Sequence, residues 1–198
     1  MSGTELDDLA RQLWSKHRDA LEFLADRRPD EIADLLNKLR SFIEPFNSGG
    51  ADGRLRLTLD SEAPNYFRFL PLAWDEIPDL RKGAWGPSNR ILRYEVVRAG
   101  KGRNDLRASL LLGPGPDEVR RRIYSTVKHL GVPEPEYFGH SWKTLAVVWL
   151  FRSSNREFDL EEVSANALTK LEKFVDDTSR RFTDALVPVL GKGEGPHA

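Results

Sequence analysis

The sequence is defined first by what it lacks. It contains no cysteine, one methionine and four histidines in 198 residues. Without cysteine there are no disulfides, no thiolate nucleophile and no Cys-based zinc or iron–sulfur site. No two of His17, His129, His140 and His197 stand at a ligand spacing, so no metal and no cofactor are expected. No apolar run reaches the roughly 18 residues of a membrane span. The start, Met-Ser-Gly-Thr-Glu-Leu-Asp-Asp, is acidic and has no apolar stretch, so a secretory signal is not expected. These absences suit a reducing cytoplasm and a chain without membrane contact. Net charge is also nearly absent, at −1 from 30 basic and 31 acidic residues. What is present is core material: 39% hydrophobic residues, including 5 Trp, 4 Tyr and 10 Phe. That is enough to bury a real interior.

Hydrophobic periodicity divides the chain. Leu6, Leu9, Leu13, Ala20, Leu21 and Leu24 recur at three- and four-residue steps, and Ile32, Leu35, Leu36, Leu39 and Ile43 repeat the pattern. Residues 1–46 are therefore read as a pair of helices. From residue 54 the period becomes two. Strands are expected near 54–59, 67–69, 90–98 and 105–112, with a hairpin across Ala99–Asn104. Gly113-Pro-Gly-Pro leads into a helix at about 116–130. Residues 142–151 are apolar on both parities, which predicts a central strand covered on both faces. Asp159 and Glu162 then announce a long helix over about 160–187. Residues 191–198 read as a flexible tail. The order predicts an α+β fold: a mostly antiparallel sheet of about five strands, an N-terminal helical pair, one middle helix and a long last helix, with 54–190 as the α+β domain.

The near-zero net charge conceals segregation. Residues 80–130 carry 12 basic and 4 acidic residues, a net of +8, between acidic ends. Arg54, Arg56, Arg68, Arg93 and Arg107 fall on the parity opposite the apolar residues of their strands. In one sheet they would line a wet, arginine-rich face able to track a nucleic-acid backbone, unless acids pair with them or another element covers them. The run Arg120-Arg121-Arg122 sweeps about 200° of helix and cannot point one way. Arg120 and Arg121 join the candidate anion contacts. Trp142 and Trp149, seven apart, fall on opposite faces of a regular strand and so cannot share a stacking platform.

Other chemistry finds little support. Gly100-Lys101-Gly102 and Gly191-Lys192-Gly193 lack the Ser/Thr that follows the lysine of a phosphate-binding P-loop. Gly113–Pro116 has two prolines without amide donors, and Asp117 and Glu118 fill the positive helix end, so it reads as a tight turn.

One long ordered pattern resembles a known family. Arg68-Phe-Leu-Pro-Leu-Ala-Trp-Asp-Glu-Ile-Pro, Gly83-Ala-Trp-Gly-Pro-Ser-Asn-Arg-Ile-Leu-Arg-Tyr-Glu-Val, Ser109-Leu-Leu-Leu-Gly-Pro-Gly-Pro-Asp-Glu-Val-Arg and Trp142-Lys-Thr-Leu follow one another in order. Together they resemble the C-terminal accessory region of bacterial PD-(D/E)XK nuclease-like proteins, over about residues 66–190. The nuclease centre of that family needs an acidic residue two positions before a lysine. Two positions before the nine lysines stand Trp, Leu, Ala, Thr or Ser, never Asp or Glu. The resemblance thus implies the accessory region without its catalytic motif, and no catalytic residue is carried over.

The expectation is a non-catalytic binding module that contacts nucleic acid or a nuclease partner. A protein-interaction or homo-oligomeric domain built on the last helix is the alternative. An enzyme whose carboxylates meet only in the fold is a third.

Overall fold

The computed structural model describes residues 3–26, 30–43, 55–86, 88–100, 104–133, 142–153 and 159–191. The chain divides into two compact units, Met1–Glu31 and Ile32–Ala198. The first holds helix α1 (Gly3–Asp26), which bends at His17, where the backbone leaves helical geometry. Leu6, Leu9, Leu13, Trp14 and Phe23 on α1 are exposed.

The second unit is α+β. Its elements are α2 (Glu31–Ser41), β1 (Leu57–Ala63), β2 (Tyr66–Pro71), β3 (Leu92–Ala99), β4 (Asp105–Leu112), α3 (Asp117–Val127), β5 (Lys143–Phe151) and α4 (Leu160–Leu190). The five strands form one antiparallel sheet in sequence order, β1-β2-β3-β4-β5. Alternation explains one face of it. Phe67, Phe69, Leu92, Tyr94, Val96, Leu106, Ala108, Leu110 and Leu112 are buried in a single core. α2 adds Ile32, Leu35, Leu36 and Leu39, α3 adds Val119, Ile123 and Val127, and α4 adds Leu171, Phe182 and Leu186. The second predicted helix thus contributes to the core of the sheet unit.

α4 is fixed to the sheet by polar as well as apolar contacts. The Tyr94 hydroxyl shares hydrogen bonds with Thr178 at 2.6 Å and Ser179 at 2.9 Å. Trp74 Nε1 donates to Thr183 Oγ1 at 2.8 Å. The helix starts where its cap predicts, since Asp159 accepts from the amides of Glu161 and Glu162. Its apolar stripe, including Ala167, Leu171, Val175, Phe182 and Leu186, is buried within this unit.

The expectation of a central last strand is corrected. β5 is an edge strand, paired with β4 alone. Its two apolar parities have another cause. The β4–β5 ladder shifts register twice, between Leu106 and Arg107 and between Leu110 and Leu111. Leu145 and Leu150 stand at those irregularities and are buried, whereas Val147 is 51% exposed.

Candidate nucleic-acid interface

The sheet face turned away from the core is built by strand register. Arg68 pairs with Glu95, Glu95 with Ser109 and Ser109 with Val147; Tyr66 pairs with Val97, Val97 with Arg107 and Arg107 with Trp149. Side chains directly opposite one another share a face. Arg68, Arg93 and Arg107 therefore do lie on one side, as alternation predicts.

Half of this outer face is covered. The segment 72–91 places Trp74, Ile77, Leu80 and Ile91 in the core and returns Trp85 onto the arginines. A β-bulge between Leu59 and Ser61 turns Asp60 the same way. Its fully buried carboxylate accepts from Arg93 and, at 3.0 Å, from Arg90. Arg90 also reaches Asp75 at 2.8 Å. Arg93 donates further to the carbonyls of Arg90 and Trp85, each at 2.9 Å, and lies 3.7 Å from the Trp85 ring centre. Gly86, at φ +67°, makes the turn that delivers Trp85; a Cβ there would crowd the Arg93 guanidinium. Arg68 donates to Glu95 at 2.7 Å between the rings of Tyr66 and Trp85. Three guanidiniums and three carboxylates balance in this half.

Two of the expected anion contacts are thus corrected. Arg93 is fully buried, and burial pushes its pKa down to about 10, against the pull of Asp60. Arg120 is also fully buried, on α3, 3.9 Å from Asp117; burial lowers its pKa while Asp117 opposes the shift. Arg68 is paired rather than free. Arg56 is exposed beside a groove formed with Asp176, Arg180 and Asp184 of α4, and Arg121 is exposed on α3. Neither joins the outer face. Arg54 lies outside the described residues, as do 192–198 of the predicted tail.

The other half of the outer face is open along β5, where Trp142 and Val147 are exposed, while Ser109 of β4 is fully buried. Arg107 and Arg152 bracket the Trp149 ring at 6.0 and 4.5 Å. Among the described residues neither makes an ion pair, and Arg107 Nε is buried without a hydrogen-bond partner. Ser109 Oγ is buried and unpartnered on the same row. Asp105, also nearby, is occupied by the amide and hydroxyl of Ser153 at 2.7 and 2.9 Å.

The two tryptophans separated by parity lie on one face here. The register shift opposite Leu110/Leu111 adds one residue to β5 between Trp142 and Trp149. An added residue reverses alternation beyond it. Trp142, 37% exposed, meets Trp85 edge-on and sits 5.4 Å from the Arg68 guanidinium, so it shares the outer face with Trp149. Sequence reasoning singles out the tryptophans but misses the platform, because a bulge depends on the partner strand. It misses Arg152 because that residue follows the strand's last position.

Among the described residues no three Asp, Glu or His side chains gather in a way that could hold a metal ion, and no helix is long and apolar enough to cross a membrane. The geometry defines an α+β domain with an antiparallel five-stranded meander and an arginine–tryptophan outer face. No family model, curated protein or solved structure matches the chain.

Proposed function

We propose that this chain is a non-catalytic module that holds single-stranded nucleic acid on the open half of its outer sheet face. The observation that carries the reading is Trp149, bracketed by two guanidiniums without ion-pair partners among the described residues, on the same face as exposed Val147 and Trp142. Single strands present bases that stack on aromatic rings, each worth about 1–3 kcal/mol, and phosphates that arginines neutralise. Trp142 and Trp149 stand about 20 Å apart along the strand, from its rise per residue. That spacing suits a chain laid along β5 rather than a compact ligand. An accessory role beside a nuclease, which the resemblance to PD-(D/E)XK nuclease-like proteins implies, fits such a module.

The test is fluorescence anisotropy with a labelled 15-nucleotide single strand and its duplex at 50 mM salt. The single strand is expected to bind more tightly, and Trp149→Ala to weaken it about tenfold. Absence of binding, or equal binding by Trp149→Ala, overturns the reading.

A second reading rests on α1. Its exposed Leu6, Leu9, Leu13, Trp14 and Phe23 form a surface that a single helix cannot bury by itself, which suits pairing with a second copy. Light scattering after chromatography decides it: a mass of one chain at all concentrations removes this reading.

A further inference from the structure

A recess adjoins the open face where the end of β5 meets the first turns of α4. Its volume is about 340 Å³, and Trp149, Phe151, Arg152, Val163, Asn166 and Lys170 line it. Ligand cavities run from about 300 to 1,000 Å³, so this one fits a single small unit and not a length of chain. Its walls have a definite character. Phe151 and Val163 make an apolar floor, Trp149 offers an aromatic edge, and the charged groups are both cations. Among the described residues no acidic side chain lines it. Lys170 is held in place, since its Nζ donates to the Leu150 carbonyl at 3.3 Å. That carbonyl belongs to the residue passed over by the ladder shift opposite Leu106/Arg107. One donor of the ammonium is thereby used, and among the described residues the other two have no partner, beside the Arg152 fork. The Asn166 amide can both donate to and accept from a polar edge.

We infer that this recess binds a nucleoside monophosphate unit, with its base against Trp149 and its phosphate between Arg152 and Lys170. The inference deepens the strand-binding reading and rests on it for one point: the unit is then the phosphorylated end of a strand whose remaining bases cross the open face. A free mononucleotide has the same chemistry, so the two sources are separated by experiment. An apolar wall beside two cations selects a ligand that is both flat and anionic. Inorganic phosphate alone would leave the aromatic and apolar walls unused.

The experiment uses the full chain and four probes: AMP, and one 15-nucleotide sequence with a 5′-phosphate, a 3′-phosphate or neither. One phosphorylated strand is expected to bind about tenfold more tightly than the unphosphorylated one, with AMP competing for that increment. Lys170→Gln should abolish the increment and Lys170→Arg retain it, while both leave the unphosphorylated strand bound as before. Binding of AMP without any strand supports the recess and overturns the strand-binding reading. Equal binding of all three strands with no binding of AMP overturns the recess and leaves the strand-binding reading standing. Binding of none of the four overturns both.

Discussion

Arg93 carries a guanidinium into the interior, and each of its three nitrogens finds a partner. Asp60 supplies the opposite charge, the carbonyls of Arg90 and Trp85 accept from Nε and Nη2, and Trp85 covers one face of the plane. Arg90 is held the other way. Burial lowers its pKa, but the bonds to Asp75 and Asp60 outweigh it, so the group stays more firmly charged than usual. A buried pair broken on one side leaves an uncompensated charge. Asp60→Asn should therefore cost about 3–5 kcal/mol in urea unfolding, and Asp60→Asn/Arg93→Met should recover most of it. Tyr94 offers a pH-dependent counterpart. Burial raises its pKa above the ordinary 10.0, more than the bonds to Ser179 and Thr178 lower it. The folded chain keeps that proton where the unfolded chain releases it. The contribution is complete below pH 10 and is lost as pH rises beyond it. Wild type should therefore lose stability faster than Tyr94→Phe above that pH, and absorbance titration should show one of the four tyrosines ionising only on unfolding.

Elements with a strict local code are legible in the amino-acid sequence alone. α4 is the clearest case: a three- and four-residue stripe with Asp159 at its head gives the observed start, Leu160. Removing that cap in Asp159→Ala should cost about 1 kcal/mol, read as a lowered Tm with unchanged helix content. The β3–β4 pairing is equally plain, because polar and apolar residues alternate over Leu92–Val96 and Leu106–Leu110 and the register is unbroken from Leu92↔Leu112 to Ala99↔Asp105. Alternation also places Arg68, Arg93 and Arg107 on one face. It does not show that Asp60 enters from a bulge, or that a segment with no period of its own returns Trp85 over Arg93. β5 is misread for the same reason. Each register shift is an agreement between two strands, so the sequence of one strand alone reads as doubly apolar. The arginine face is thus half legible: its direction is, its cover is not.

The whole chain alters the meaning of the +8 stretch at 80–130. Arg90 and Arg93 are bound into the covered network, Arg122 pairs with Asp79, and Arg120 is buried. Four of the twelve basic residues of that stretch are thereby paired or buried. Arg107 and Arg152 are the cations set around Trp149. Two phosphate contacts to an unphosphorylated single strand give a slope of log K against log salt of about −1.4, taking about −0.7 per contact. Arg107→Ala should flatten that slope by about 0.7, and a slope many times steeper would mean that other basic residues carry the binding. The double irregularity of β5 has one more consequence, for assembly. An outermost strand with regular spacing is a template on which another molecule can add its own strand. β5 interrupts that spacing twice, and Lys170 occupies one of its carbonyls. The distortion that gathers two tryptophans on one surface thereby makes the same border a poor seed for aggregation, so the molecule can display a sticky face without growing into a fibre.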